Sequence, residues 1–133
     1  MRIFVIAYVA ALIVMGVVDG IWLSLTASKI YRPSLGTLMA DKPVIPAAIV
    51  FYLLFIAGLT YLIVLPALAA GQFNSAIVRG AVLGLVAYGT YDLTNLAIIR
   101  GWPLSVTIID LAWGTILTAV TAAAAFLITR AIG

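Results

Sequence analysis

Cysteine and histidine are both missing from the 133 residues, and charge is scarce, with seven Lys or Arg and four Asp or Glu. Without thiols or imidazoles the chain has no disulfide, no Cys/His zinc site, no His- or Cys-ligated haem and no Ser-His-Asp triad. Any chemistry rests on Asp, Tyr, Thr, Ser, Asn or the backbone, and no residue pattern calls for a cofactor. A soluble domain carries about 25% charged residues and clothes its surface with them; here the share is 8%. What the chain has in quantity is apolar surface, 66% hydrophobic residues with a mean hydropathy of +1.31. Most of this protein therefore has lipid as its solvent. Disorder is excluded by the hydropathy, and nucleic-acid binding by the scatter of the few cations, which form no basic stripe.

A membrane-crossing helix needs about 20 mostly apolar residues. Four such stretches stand between runs of Pro, Gly and charge, at 3–26, 46–68, 76–99 and 104–128. Lys29, Arg32 and Pro33 with Asp41-Lys42-Pro43 follow the first, Gly71-Gln72-Phe73-Asn74 the second, and Arg100-Gly101-Trp102-Pro103 the third. The expected fold is an all-α integral membrane protein, one domain built as a four-transmembrane-helix antiparallel bundle. Ser28 to Ile45 alternates charged and apolar residues, which suits a first loop lying in the membrane interface. A cleaved signal peptide fits the first span poorly, because its apolar core is too long and contains Asp19 and Trp22. Orientation is nearly undecided: Arg2, Arg79 and Arg130 lie on one side, and Lys29, Arg32, Lys42 and Arg100 on the other. So weak a bias permits insertion both ways and an antiparallel homodimer.

Asp19, Asp92 and Asp110 fall inside the spans, where an acid costs about 2.5 to 3.5 kcal/mol at a helix centre. Asp19 lies eight residues before Ala27, Asp92 seven before Ile99 and Asp110 six after Leu104. At about 1.5 Å per residue these offsets place all three roughly 9 to 12 Å below one membrane face. Periodicity adds neighbours. Tyr8, Leu12, Met15, Asp19, Trp22 and Thr26 share one face of the first helix; Gly84, Tyr88, Asp92 and Asn95 share a face of the third; Thr107, Asp110, Gly114, Thr118 and Thr121 share one of the fourth. Asp-x-x-Trp occurs twice, at Asp19/Trp22 and Asp110/Trp113, setting an indole beside each carboxyl. The expectation is one buried three-aspartate cluster, with Asp19, Trp22, Tyr88, Tyr91, Asp92, Asn95, Asp110 and Trp113 as its candidate ligand-binding residues. Span two, with only Tyr52, Thr60 and Tyr61, reads as a wall. Gly16/Gly20 and Gly80/Gly84 are small-x-x-x-small pairs for close helix approach, and Gly89 and Gly114 leave room beside the acids.

The blocks Asp19-Gly-Ile-Trp22-Leu, Ile30-Tyr-Arg-Pro-Ser-Leu-Gly36, Phe51-Tyr-Leu-Leu, Tyr88-Gly-Thr-Tyr-Asp-Leu-Thr-Asn95, Arg100-Gly-Trp-Pro and Asp110-Leu-Ala-Trp-Gly114 run through all four spans. In them the chain resembles the bacterial predicted-membrane-protein family called domain of unknown function 2177. The resemblance implies a small multi-pass protein of the bacterial inner membrane and carries no catalytic role to any residue here.

Three functions compete at this level. The first is binding or translocation of a proton, cation or small cationic or amphipathic ligand by the aspartates, since oxygen-only ligands suit hard cations; four helices enclose little volume, so transport calls for a homodimer. The second is an intramembrane enzyme modifying a lipid or isoprenoid, with one aspartate as base and another as acid; no nucleophile-base pair or phosphate loop supports it, and the balance is against an enzyme. The third is a structural or assembly subunit whose partner covers the glycine faces. If Arg100 dips inward to neutralise an aspartate, or the aspartates merely bond across helices, their role is structural.

Overall fold

Four long apolar helices make up the computed structural model, which describes residues 1–133: α1 (Arg2–Leu38), α2 (Ile45–Ala70), α3 (Phe73–Ile98) and α4 (Leu104–Ile132). They form an all-α four-transmembrane bundle with no β-sheet. Helix is the structure lipid demands of such a chain, because every N–H and C=O within a span must find its partner inside the segment. The shortest of the four has 26 residues, about 39 Å at helical rise against a hydrocarbon core of about 30 Å. The large side chains left exposed are Val, Ile, Leu and aromatic groups distributed along all four helices, the surface a lipid environment takes up.

Two helices depart from regular geometry at matched places. In α1 a regular α-helix (Arg2–Thr26) is followed by a π-helical turn (Ala27–Tyr31), a short α turn (Arg32–Leu35) and a 3₁₀ turn (Gly36–Leu38). In α2 a π-helical turn (Thr60–Val64) interrupts the helix. Each π turn ends two residues before a proline, Pro33 and Pro66. Proline has no N–H, and its ring crowds the carbonyl four residues back; widening the preceding turn relieves that crowding and inserts one residue into the helical count. The segment from Ser28 therefore continues the first helix as far as Leu38, where a separate interfacial loop was expected. Gly71 ends α2 in the left-handed conformation (φ 65°), and the N–H groups of Gly71 and Gln72 cap the carbonyls of Leu68 and Ala67.

The bundle has two unlike halves. At the end shared by the N-termini of α1 and α3, a dry core joins Ala7, Ala11, Met15, Ile56, Leu59, Val64, Ala76, Leu117, Ala122 and Phe126, all fully buried. Small residues on α1 and α4 let the backbones close there. α3 and α4 are the tightest pair: a Cβ on Gly80 would lie 2.9 Å from that of Ala122, and one on Gly84 would strike the Gly114 carbonyl and lie 2.7 Å from Thr118 Oγ1. Gly16 and Gly20, in contrast, meet nothing within 4 Å. The first of the two expected glycine pairs faces outward, and only the second is a packing contact. The other half of the bundle, where α1 and α3 end and α2 and α4 begin, holds the aspartates and most of the tyrosine and tryptophan.

Candidate functional site

Asp19 is 8% exposed and accepts two hydrogen bonds from other helices, one from Tyr52 Oη on α2 and one of 3.0 Å from Trp113 Nε1 on α4. One carboxyl thus ties three helices together. On the same side of the bundle Tyr31, at the end of the π turn of α1, donates to Asp110 Oδ1 on α4, and its oxygen accepts Trp22 Nε1 at 3.2 Å. Trp22 and Trp113 stack with ring centroids 4.4 Å apart and planes 10° from parallel. The two Asp-x-x-Trp motifs therefore exchange partners across the helix interface: Trp113 serves the acid of α1, and Trp22 reaches the acid of α4 through Tyr31. Bonds of this kind to a carboxyl are about twice as strong as those between neutral groups.

Asp92 differs from both. Its exposure is 0%, its carboxyl adjoins that of Asp110, and no Tyr, Trp or Thr donates to either of its oxygens. Tyr88 lays its ring over Gly114, where a Cβ would overlap it, and meets Phe55 edge-on at 6.5 Å. Gly89 is covered by Leu111. The two glycines expected to leave space beside the acids thus receive side chains, because their missing Cβ atoms let α3 and α4 interlock. Tyr91 is exposed on the outer face and meets the Trp102 ring at 5.8 Å; Trp102 Nε1 in turn donates to Thr107 Oγ1 at 3.1 Å. Asn95 lies half-buried beside Tyr91. Arg100 is exposed and neutralises no aspartate.

Two cavities meet at this site. A lateral one of about 430 Å³ is lined by Phe51 of α2, Ala87, Tyr88 and Tyr91 of α3, and Asp110 of α4. Phe51 and Tyr91 are exposed at its rim, so it opens between α2 and α3 toward lipid. The second, about 260 Å³, lies under the last turns of α1, with Tyr31, Leu35 and Met39 on one side and Trp22, Trp102 and Trp113 on the others. Tyr88, Tyr91 and Asp110 wall both.

The expected three-aspartate cluster for a proton, cation or small cationic ligand is not formed. Two of the aspartates are buried and Asp110 is partly open, and no group of three or more acidic, His or Cys side chains is placed to hold a metal ion. Counting residues from the helix ends fixes the depth of a side chain but leaves open which neighbour it turns toward. Asp19 turns to Tyr52 and Trp113, and Asp110 to Tyr31. Of the candidate residues, Asp19, Trp22, Tyr88, Tyr91, Asp110 and Trp113 border the second cavity, whereas Asp92 and Asn95 line neither. Tyr31, Phe51 and Tyr52 join the site although none was among the candidate ligand-binding residues. Tyr52 carries a signal that depth counting can read, since it lies seven residues into α2 from the same face, and α2 is a donor to the site as well as a wall.

Residues 4–127 match the family described as Predicted membrane protein (DUF2177), and the chain belongs to that family. No curated protein and no solved structure matches it.

Proposed function

We propose that this member of the DUF2177 family holds one amphipathic, lipid-like molecule, its apolar tail in the lateral cavity and its polar end at Asp110. The observation that carries the reading is that Tyr88, Tyr91 and Asp110 wall both cavities. A ligand entering from lipid along Phe51 and Ala87 meets a carboxyl at the junction and aromatic walls beyond it. Mostly apolar cavities of about 300 to 1,000 Å³ with a few convergent polar groups are the usual form of small-molecule sites, and the lateral one has that size. All lining residues come from one chain, so the reading calls for no second copy. The bilayer we assign is the bacterial inner membrane, because apolar helical bundles populate such membranes whereas outer-membrane proteins are barrels.

Native mass spectrometry of protein extracted in mild detergent tests this. The wild type should retain one lipid per chain, and Ala87→Trp, which fills the lateral cavity, should lose it while keeping its helical circular dichroism. Lipid-free wild type across detergents, or full retention by Ala87→Trp, would overturn the proposal.

A further inference from the structure

Resting on that reading, we infer that the polar end of the bound molecule is an uncharged hydroxyl, as in a diacylglycerol or a long-chain alcohol, and that phosphate and ammonium heads are rejected. The inventory of donors and acceptors carries this. No Lys or Arg lines either cavity, whereas a phosphate head needs cations or several free N–H groups. Five donors around the junction are already committed to protein acceptors: Trp22 to Tyr31, Tyr31 to Asp110, Trp113 and Tyr52 to Asp19, Trp102 to Thr107. Acceptor capacity remains at Asp110. Tyr31 occupies only Oδ1 of this carboxyl, which lines both cavities. A ligand that completes this site must therefore donate. A hydroxyl donates one bond and accepts another, and Tyr88, at the same junction, takes no part in the Tyr–Trp–Asp network and is a donor for it. An ammonium would need open aromatic faces or an anionic cage. The indoles of Trp22 and Trp113 are stacked on each other, Phe51 is stacked on Phe55, Tyr88 lies over Gly114, Tyr91 meets the Trp102 ring, and no three carboxyls converge.

All three tryptophans of the chain border the second cavity, so intrinsic fluorescence reports its occupancy. Protein in phosphatidylcholine nanodiscs is titrated with acyl-brominated diacylglycerol, brominated long-chain alcohol, brominated phosphatidic acid and brominated alkylamine, and quenching is followed. A hydroxyl lipid should half-saturate at a concentration about tenfold or more below the phosphate and amine lipids, the loss expected for one hydrogen bond; whichever hydroxyl lipid binds tighter identifies the source. Asp110→Asn, which adds donors in the same shape, and Tyr88→Phe, which keeps the ring over Gly114, should each erase most of that preference. Equal or tighter binding of phosphatidic acid or alkylamine would overturn the headgroup assignment and leave lipid binding intact. Saturable quenching by none of the four would overturn lipid binding itself.

Discussion

Asp19 and Asp92 are two buried acids in one bundle with opposite surroundings, and their substitution should act in opposite directions. Asp19 accepts from Tyr52 and Trp113. Interhelical bonds in membranes average about 0.6 kcal/mol and bonds to charged groups about 1.5 to 3. Tyr52→Phe removes one of the two and should cost about 1 to 2 kcal/mol, read as unfolding in a denaturing-detergent titration. Trp113→Phe should cost a similar amount, and the double variant should be non-additive, because the second loss leaves the carboxyl with no donor. Asp92 receives no bond from a Tyr, Trp or Thr. Asp92→Asn brings an amide N–H₂ against the Asp110 carboxyl and should stabilise the fold by about 1 kcal/mol in the same titration; a destabilisation would mean that Asp92 has a partner essential to the fold. That these acids matter was legible in the sequence, since acids inside apolar spans need a reason. Their partners were not, because the i,i+3 spacing of Asp-x-x-Trp suggests a bond within one helix while the rings reach across to another.

Helices α1 and α3 show which local signals carry structure and which mislead. In a regular helix Tyr31, twelve residues after Asp19, would point about 120° away from it; the extra residue of the π turn brings that to about 20°. Tyr31 reaches Asp110 for this reason, and strict three- and four-residue counting passes over it. Pro33 was visible in the sequence as a break, but its effect, a widened turn that carries the helix onward, depends on packing as well. The glycine pairs make the same point. Gly16/Gly20 and Gly80/Gly84 have identical spacing, yet only the second faces a neighbour. Gly84→Ala should cost about 2 to 3 kcal/mol by overpacking against Gly114 and Thr118, whereas Gly20→Ala should change stability by less than about 0.5 kcal/mol. Thermal unfolding of the two variants in one detergent checks the contrast, and equal losses would contradict the assigned interface.

Across the whole molecule, composition already required a lipid-embedded helical bundle, because so few charges cannot cover a soluble surface. It did not reveal the division into a dry, alanine-rich half and an aromatic half with two cavities that share Tyr88, Tyr91 and Asp110. That division arises where Tyr88 fills the place left by Gly114 and the indoles pair with each other, leaving Asp110 open to the side facing lipid. An occupant from the bilayer is the central claim. It is tested most directly by photocrosslinking in native membranes, with a benzophenone amino acid replacing Phe51, an aromatic side chain at the rim of the lateral cavity, or the adjacent, exposed Val50. Position 51 should yield one dominant lipid adduct of defined mass, and position 50 a mixture following bulk lipid composition. The same bulk mixture at both positions would contradict a selective lipid site.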